Sequence, residues 1–105
     1  MKKKIGVKQK GLIQMKNGNY EIKFSKKAIK DKKNLKNAGL DKITINILTR
    51  MIDDPFCYPP SYEKLTGDLL GFYSRRINRQ HRIVYKVNEE NKEILIYRMW
   101  THYEK

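Results

Sequence analysis

The sequence predicts an α+β fold, a mainly antiparallel sheet with two helices packed on one of its faces. Three observations predict it. Strand-like and helix-like runs come in groups rather than in strict alternation, unlike the repeating pattern of parallel-sheet proteins. The chain has 105 residues, enough for one domain, 1–105, with one modest core. Its seven tyrosines and three phenylalanines set it apart from disordered chains, which are poor in aromatics.

The elements follow in order. Residues 1–18 form a basic extension, a hairpin strand or an arm. Leu12–Met15 and Tyr20–Phe24 flank Asn17-Gly18, two residues that tolerate positive φ and so favour a tight hairpin. Leu12–Met15 is therefore expected to add an N-terminal strand at one sheet edge, and a basic arm that orders on RNA is the competing reading. In Tyr20–Phe24, Tyr20, Ile22 and Phe24 alternate with Glu21 and Lys23, as in a half-buried strand. Ser25 is a plausible N-cap for a helix over Lys26–Ala38, with Ala28, Ile29, Leu35 and Ala38 inward and Gly39 as the stop. A second helix runs from Asp41 to Asp53 with Ile47, Leu48, Met51 and Ile52 at helical spacing, and Pro55 ends it. Pro55–Asp68, which contains Pro59-Pro60, reads as mostly irregular. After Gly71 come three strand-like runs, Phe72–Asn78, Arg82–Val87 and Glu93–Met99, with a polar turn at Asn88–Asn91.

Charge points to a polyanionic partner. Lysines and arginines number 24 against 11 acids, for a net +13, a self-repelling field usually kept for nucleic acid. The two cations are segregated. Residues 1–40 hold thirteen lysines and no arginine, whereas residues 41–105 hold every arginine: Arg50, Arg75, Arg76, Arg79, Arg82 and Arg98. Lysine suits diffuse attraction to a phosphate backbone, and a guanidinium fork suits one fixed phosphate. The front reads as an electrostatic handle and the back as the site.

Other classes are set aside. Cys57 is the lone cysteine, so no internal disulfide and no multi-cysteine metal site is expected, and neither a metal nor a cofactor is called for. Met1–Lys4 is followed by no apolar run, and no stretch approaches the roughly 20 apolar residues of a membrane span. A soluble, cytoplasmic protein is expected.

Alternation in Arg82–Val87 puts Ile83, Tyr85 and Val87 towards the helices and Arg82, Val84 and Lys86 on the open face. In Phe72–Asn78 it separates Ser74, Arg76 and Asn78 from Tyr73, Arg75 and Ile77. Which set shares the face of Arg82 depends on register. Arginines on an open face form a phosphate cradle that needs an acid and a base, and Glu63 and His102 are the candidates nearby. Cutting RNA without a metal needs a base for the 2′-hydroxyl, cations for the phosphate and an acid for the leaving 5′-oxygen.

Gly71-Phe72-Tyr73-Ser74-Arg75-Arg76-Ile77, His81-Arg82-Ile83-Val84-Tyr85 and the closing His102-Tyr103 resemble the signature of the YoeB/Txe toxins of the RelE superfamily. Pro55-Phe56 matches the family's Pro-Phe after its second helix, and Ser61–Leu65 loosely matches its Pro-Glu-Pro-Leu. The resemblance spans about residues 20–103. It implies a RelE-like, microbial-RNase-like fold and ribosome-dependent cleavage of messenger RNA in the A site, with a 2′,3′-cyclic phosphate and a 5′-hydroxyl as products. It also implies the ribosome and its message as partners, neutralisation by a YefM/Phd-type antitoxin, and leaves a homodimer open. Glu63 then matches the general base, His102 the general acid and Arg82 the phosphate-stabilising arginine. Arg76 matches a second phosphate contact, Tyr103 the tyrosine that orders substrate, and Arg75 and Ser74 lie in the same RNA-contacting run. The family's lysine after the leucine is replaced by Thr66, with Lys64 close by as its substitute.

Two rivals stand beside this reading. ParE-like relatives share the fold but act on DNA gyrase, and together Glu63, His102 and Arg82 argue against them. A non-catalytic RNA- or ribosome-binding protein would need only the charge and the tyrosines, since stacking requires no Glu or His.

Overall fold

The computed structural model describes residues 19–59 and 61–100. The expected strand Leu12–Met15, its Asn17-Gly18 turn, His102 and Tyr103 lie outside them. The elements are β1 (Glu21–Phe24), α1 (Lys26–Asn37), α2 (Asp41–Asp53), β2 (Tyr62–Lys64), β3 (Tyr73–Arg76), β4 (Arg82–Asn88) and β5 (Glu93–Arg98), with a short 3₁₀ turn at Gly67–Leu69 between β2 and β3. They build the α+β, RelE-like architecture expected from the sequence.

Both helices start and stop for local reasons. The Ser25 Oγ accepts from the Ala28 N–H at 3.0 Å, capping α1, which offsets one of the unpaired N–H groups at the helix start. At the other end Gly39 adopts φ +74°. That turn lets Leu40 N–H reach the Leu35 carbonyl and Gly39 N–H the Lys36 carbonyl, a Schellman ending that closes orphan carbonyls. The α2 helix buries Thr44, Ile47, Leu48, Met51 and Ile52 and ends before Pro55. Two of the inward positions expected on α1 fail: Ala38 is the exposed C-cap of the helix, and Ile29 turns outward. Ile29 is 45% exposed, and Asp31 (3% exposed) takes the inward place, because Ala28, Asp31 and Leu35 lie on one stripe at i, i+3 and i+7.

The sheet order is β1-β5-β4-β3-β2. Among the described strands only β1 runs parallel to its neighbour, Ile22 opposite Ile94 and Phe24 opposite Ile96, and the other three pairings are antiparallel. The first strand thus joins the last, which becomes interior, while the two helices cover one face. Ile22, Leu35, Ile47, Leu48, Met51, Ile83, Tyr85, Ile94 and Ile96 meet there in one core. Within 55–68, read from the sequence as mostly irregular, Tyr62–Lys64 pairs with β3 as a three-residue edge strand. A segment that short carries no readable period, and its conformation comes from the backbone groups that β3 offers.

The pivot beneath β3 and β4 is the Pro55 carbonyl, which accepts from Arg75 Nη2 at 2.8 Å and from the Tyr85 hydroxyl at 2.9 Å. Burial pushes the Tyr85 phenol up to about 12. A raised folded-state value means stability held below the ordinary pKa of 10 and lost as pH climbs through 12, worth about 2–3 kcal/mol over that window. Alkaline denaturation followed by circular dichroism is thus expected to be shallower for Tyr85→Phe than for the unchanged chain between pH 10 and 12. Parallel curves would show that this phenol does not drive the alkaline loss.

Candidate active site on the open face of the sheet

The register resolves the arginine ambiguity. Arg76 stands opposite Arg82, Ser74 opposite Val84, and Glu63 opposite Ser74. Directly paired residues share a face, so Glu63, Ser74, Arg76 and Arg82 all project away from the helices. Arg82 is held by two acceptors: its Nη1 donates to Glu63 Oε1 at 3.0 Å and to Ser74 Oγ at 2.8 Å. The Arg82 side chain is 16% exposed and that of Glu63 63%, so a seated cation faces a solvent-reachable carboxylate. Among the described residues, Arg82 Nε and Nη2 take no partner, leaving three N–H donors for an incoming anion. Arg76 is exposed and, among the described residues, bonds only weakly at its own turn, Nη1 to the Arg79 carbonyl at 3.4 Å.

Two expected members of the site are placed elsewhere. Arg75 is fully buried on the helix side, its guanidinium beside the rings of Tyr62 and Tyr85 at 5.1 and 5.9 Å. There it braces the core against the Pro55 carbonyl instead of joining Arg82 on the open face. Lys64, one residue past Glu63, alternates to the face opposite Glu63, across from Tyr73. Alternation within one strand leaves each of them two possible faces, and only the pairing with the neighbouring strand assigns one.

The end of β5 leads to His102 and is tightly held. Asp31 accepts from Arg98 Nε at 2.9 Å and Nη2 at 3.2 Å, and from the Met99 N–H at 2.9 Å. Trp100 stacks on His81 with centroids 3.8 Å apart and planes at 14°. Neither clamp follows from the sequence expectations above. The signal for Asp31 was present, a carboxylate on the apolar stripe of α1, whereas nothing local marked the His81–Trp100 stack. Among the described residues no group of three or more His, Cys, Asp or Glu could hold a metal ion, and no helix is long and apolar enough to cross a membrane.

The chemistry-bearing strands sit within a wider match. The sequence model of the YoeB-like toxin of bacterial type II toxin–antitoxin systems matches residues 24–103. The chain belongs to the YoeB-like toxin family. Toxin YoeB of Mycobacterium bovis is 36% identical to this toxin over 67 residues, 60% of this chain and 76% of the relative. Toxin YoeB of Synechocystis is 39% identical over 62 residues, 58% of this chain and 70% of the relative. In structure, the toxin is similar to the Staphylococcus aureus YoeB–YefM complex chain, with a TM-score of 0.68 and 33% identity over 80% of this chain and 98% of that one. A YoeB/ParE toxin from Agrobacterium tumefaciens superposes with a TM-score of 0.72 at 24% identity over 85% of this chain and 100% of that one, a likeness of fold alone.

Proposed function

We propose that this toxin is an endoribonuclease that cuts messenger RNA in the ribosomal A site by general acid–base chemistry. The observation that carries the reading is the Glu63–Arg82–Ser74 cluster, a reachable carboxylate on a guanidinium fixed by a second acceptor. Glu63 takes the proton of the 2′-hydroxyl, and the freed oxygen attacks the adjacent phosphorus. Arg82, with Arg76 beside it, stabilises the charge that builds on the phosphate. The bond to the 5′-oxygen breaks as His102 supplies its proton, which leaves a 2′,3′-cyclic phosphate and a 5′-hydroxyl. Tyr103 helps order the substrate, and Ser74 holds Arg82 in its pose. No metal takes part in these steps.

Translation stops because the message is cut, which places the action in the cytoplasm. A YefM-type antitoxin is the proposed neutralising partner and a homodimer the proposed second assembly, supported by likeness to the Staphylococcus aureus YoeB–YefM complex and to a YoeB dimer of the same organism, 34% identical with a TM-score of 0.67. The lysines of residues 1–40 steer the toxin to ribosomal RNA.

Incubation with programmed ribosomes tests the reading: the message should be cut once in the A site with a cyclic phosphate at the new 3′ end. Replacing several front lysines by Gln is expected to weaken ribosome pelleting and flatten its salt dependence, by about 0.7–0.9 in log–log slope per lost phosphate contact. Arg82→Ala should do the reverse, lowering the single-turnover rate by roughly 10²- to 10³-fold with little change in pelleting. An Arg82→Ala toxin that binds poorly yet cuts normally once bound refutes this division of labour.

A further inference from the structure

Beside the Arg82 cluster the open face carries a second feature that the proposed chemistry does not use. Phe72, immediately before β3, and Tyr97, on β5, both half-buried, bring their rings to 5.3 Å between centroids at 50°. The exposed Lys86 of β4 places its Nζ 5.4 Å from the centre of the Phe72 ring. Phe72 is two residues from Ser74, so the aromatic pair begins one same-face step, about 7 Å, from the cluster. The open face therefore reads in sequence along β3 and β4 as aromatic ring with cation, then hydroxyl, then paired arginines.

The geometry points to Phe72 and Tyr97 as a stacking platform for a nucleobase of the same RNA strand whose phosphate rests on Arg82. The inference rests on the ribonuclease reading and deepens it, since it assigns the place of a base where that reading assigned only a phosphate. Charge and shape favour this occupant. A base and a neighbouring phosphate of one strand are a single sugar apart, and Phe72 is one same-face step from Ser74, whose hydroxyl holds the Arg82 guanidinium. Lys86 at the far end offers a cation to the next phosphate. An aromatic sheet face flanked by basic side chains suits a splayed single strand. Every base has a π-face, so the platform orders the strand without selecting its sequence.

The probe is a short RNA with 2-aminopurine next to the reactive position and 2′-deoxyribose at that position, so that it cannot be cut. Full-length toxin should bind it with quenched fluorescence. Phe72→Leu, which keeps apolar bulk, and Tyr97→Ala should each relieve the quenching and weaken binding by roughly 5- to 150-fold. Lys86→Gln should flatten the salt dependence and leave the quenching intact. An abasic site in place of the 2-aminopurine should weaken the unchanged toxin by a similar factor and leave Phe72→Leu almost unaffected, a coupling that a merely structural ring would not show. Unquenched binding, or equal affinity in the ring variants, overturns the platform. Cleavage on programmed ribosomes is read in parallel. Cutting without stacking sinks the platform and keeps the ribonuclease, whereas stacking without cutting keeps an RNA platform and sinks the ribonuclease.

Discussion

Glu63→Ala is expected to lower single-turnover cleavage of ribosome-bound message by about 10²- to 10⁴-fold, the usual contribution of a positioned general base. The fold should survive, because the Glu63 side chain is 63% exposed and its one described partner, Arg82, keeps Ser74 as an acceptor. Glu63→Gln separates the two things the carboxylate does. It can still accept a hydrogen bond from Arg82 but cannot take a proton at neutral pH, so it should be nearly as slow as the alanine variant. Circular dichroism and ribosome pelleting should match the unchanged toxin for both. An alanine variant that stays fully toxic on expression, or a glutamine variant that cuts at the normal rate, means that another group is the base and that Glu63 only seats Arg82.

The largest effect on stability is expected at a residue far from the phosphate. Asp31→Ala should cost about 3–5 kcal/mol in urea unfolding, because it leaves the Arg98 charge partly buried without its bidentate acceptor and removes the acceptor of the Met99 N–H. Against a total of roughly 5–15 kcal/mol for a typical domain, that is enough to unfold a large share of the protein. Asp31→Asn should cost less, since it can still accept from Met99. In the fraction that remains folded, cleavage should also fall, because Asp31 fixes the end of β5, and His102 follows Met99 by three residues, a reach of no more than about 11 Å. A cost below 1 kcal/mol for the alanine variant would show that the strand end is held by the His81–Trp100 stack instead.

Much of the architecture was legible because its causes are local. Ser25, Gly39 and Pro55 bound the helices through backbone rules that act within a few residues. The alternation in Arg82–Val87 correctly assigned Ile83 and Tyr85 to the core and Arg82 to the open face. The run from Ser74 through Arg82, with Glu63 before it, already named three residues that the fold gathers within hydrogen-bond reach.

What the tertiary structure decided depends on pairing between distant segments. Alternation sorts the residues of one strand into two sets but does not say which set faces a neighbour. The β3–β4 register alone put Arg76 beside Arg82 and sent Arg75 to the Pro55 carbonyl. The same holds for Glu63, whose three-residue strand exists only because β3 supplies its backbone partners, and for β1, whose parallel place beside β5 no local pattern encodes. Asp31 shows the boundary most clearly. Its position on the apolar stripe of α1 could be read from the chain, but its meaning could not, because the guanidinium that makes its burial tolerable lies 67 residues away and only the folded sheet brings it there.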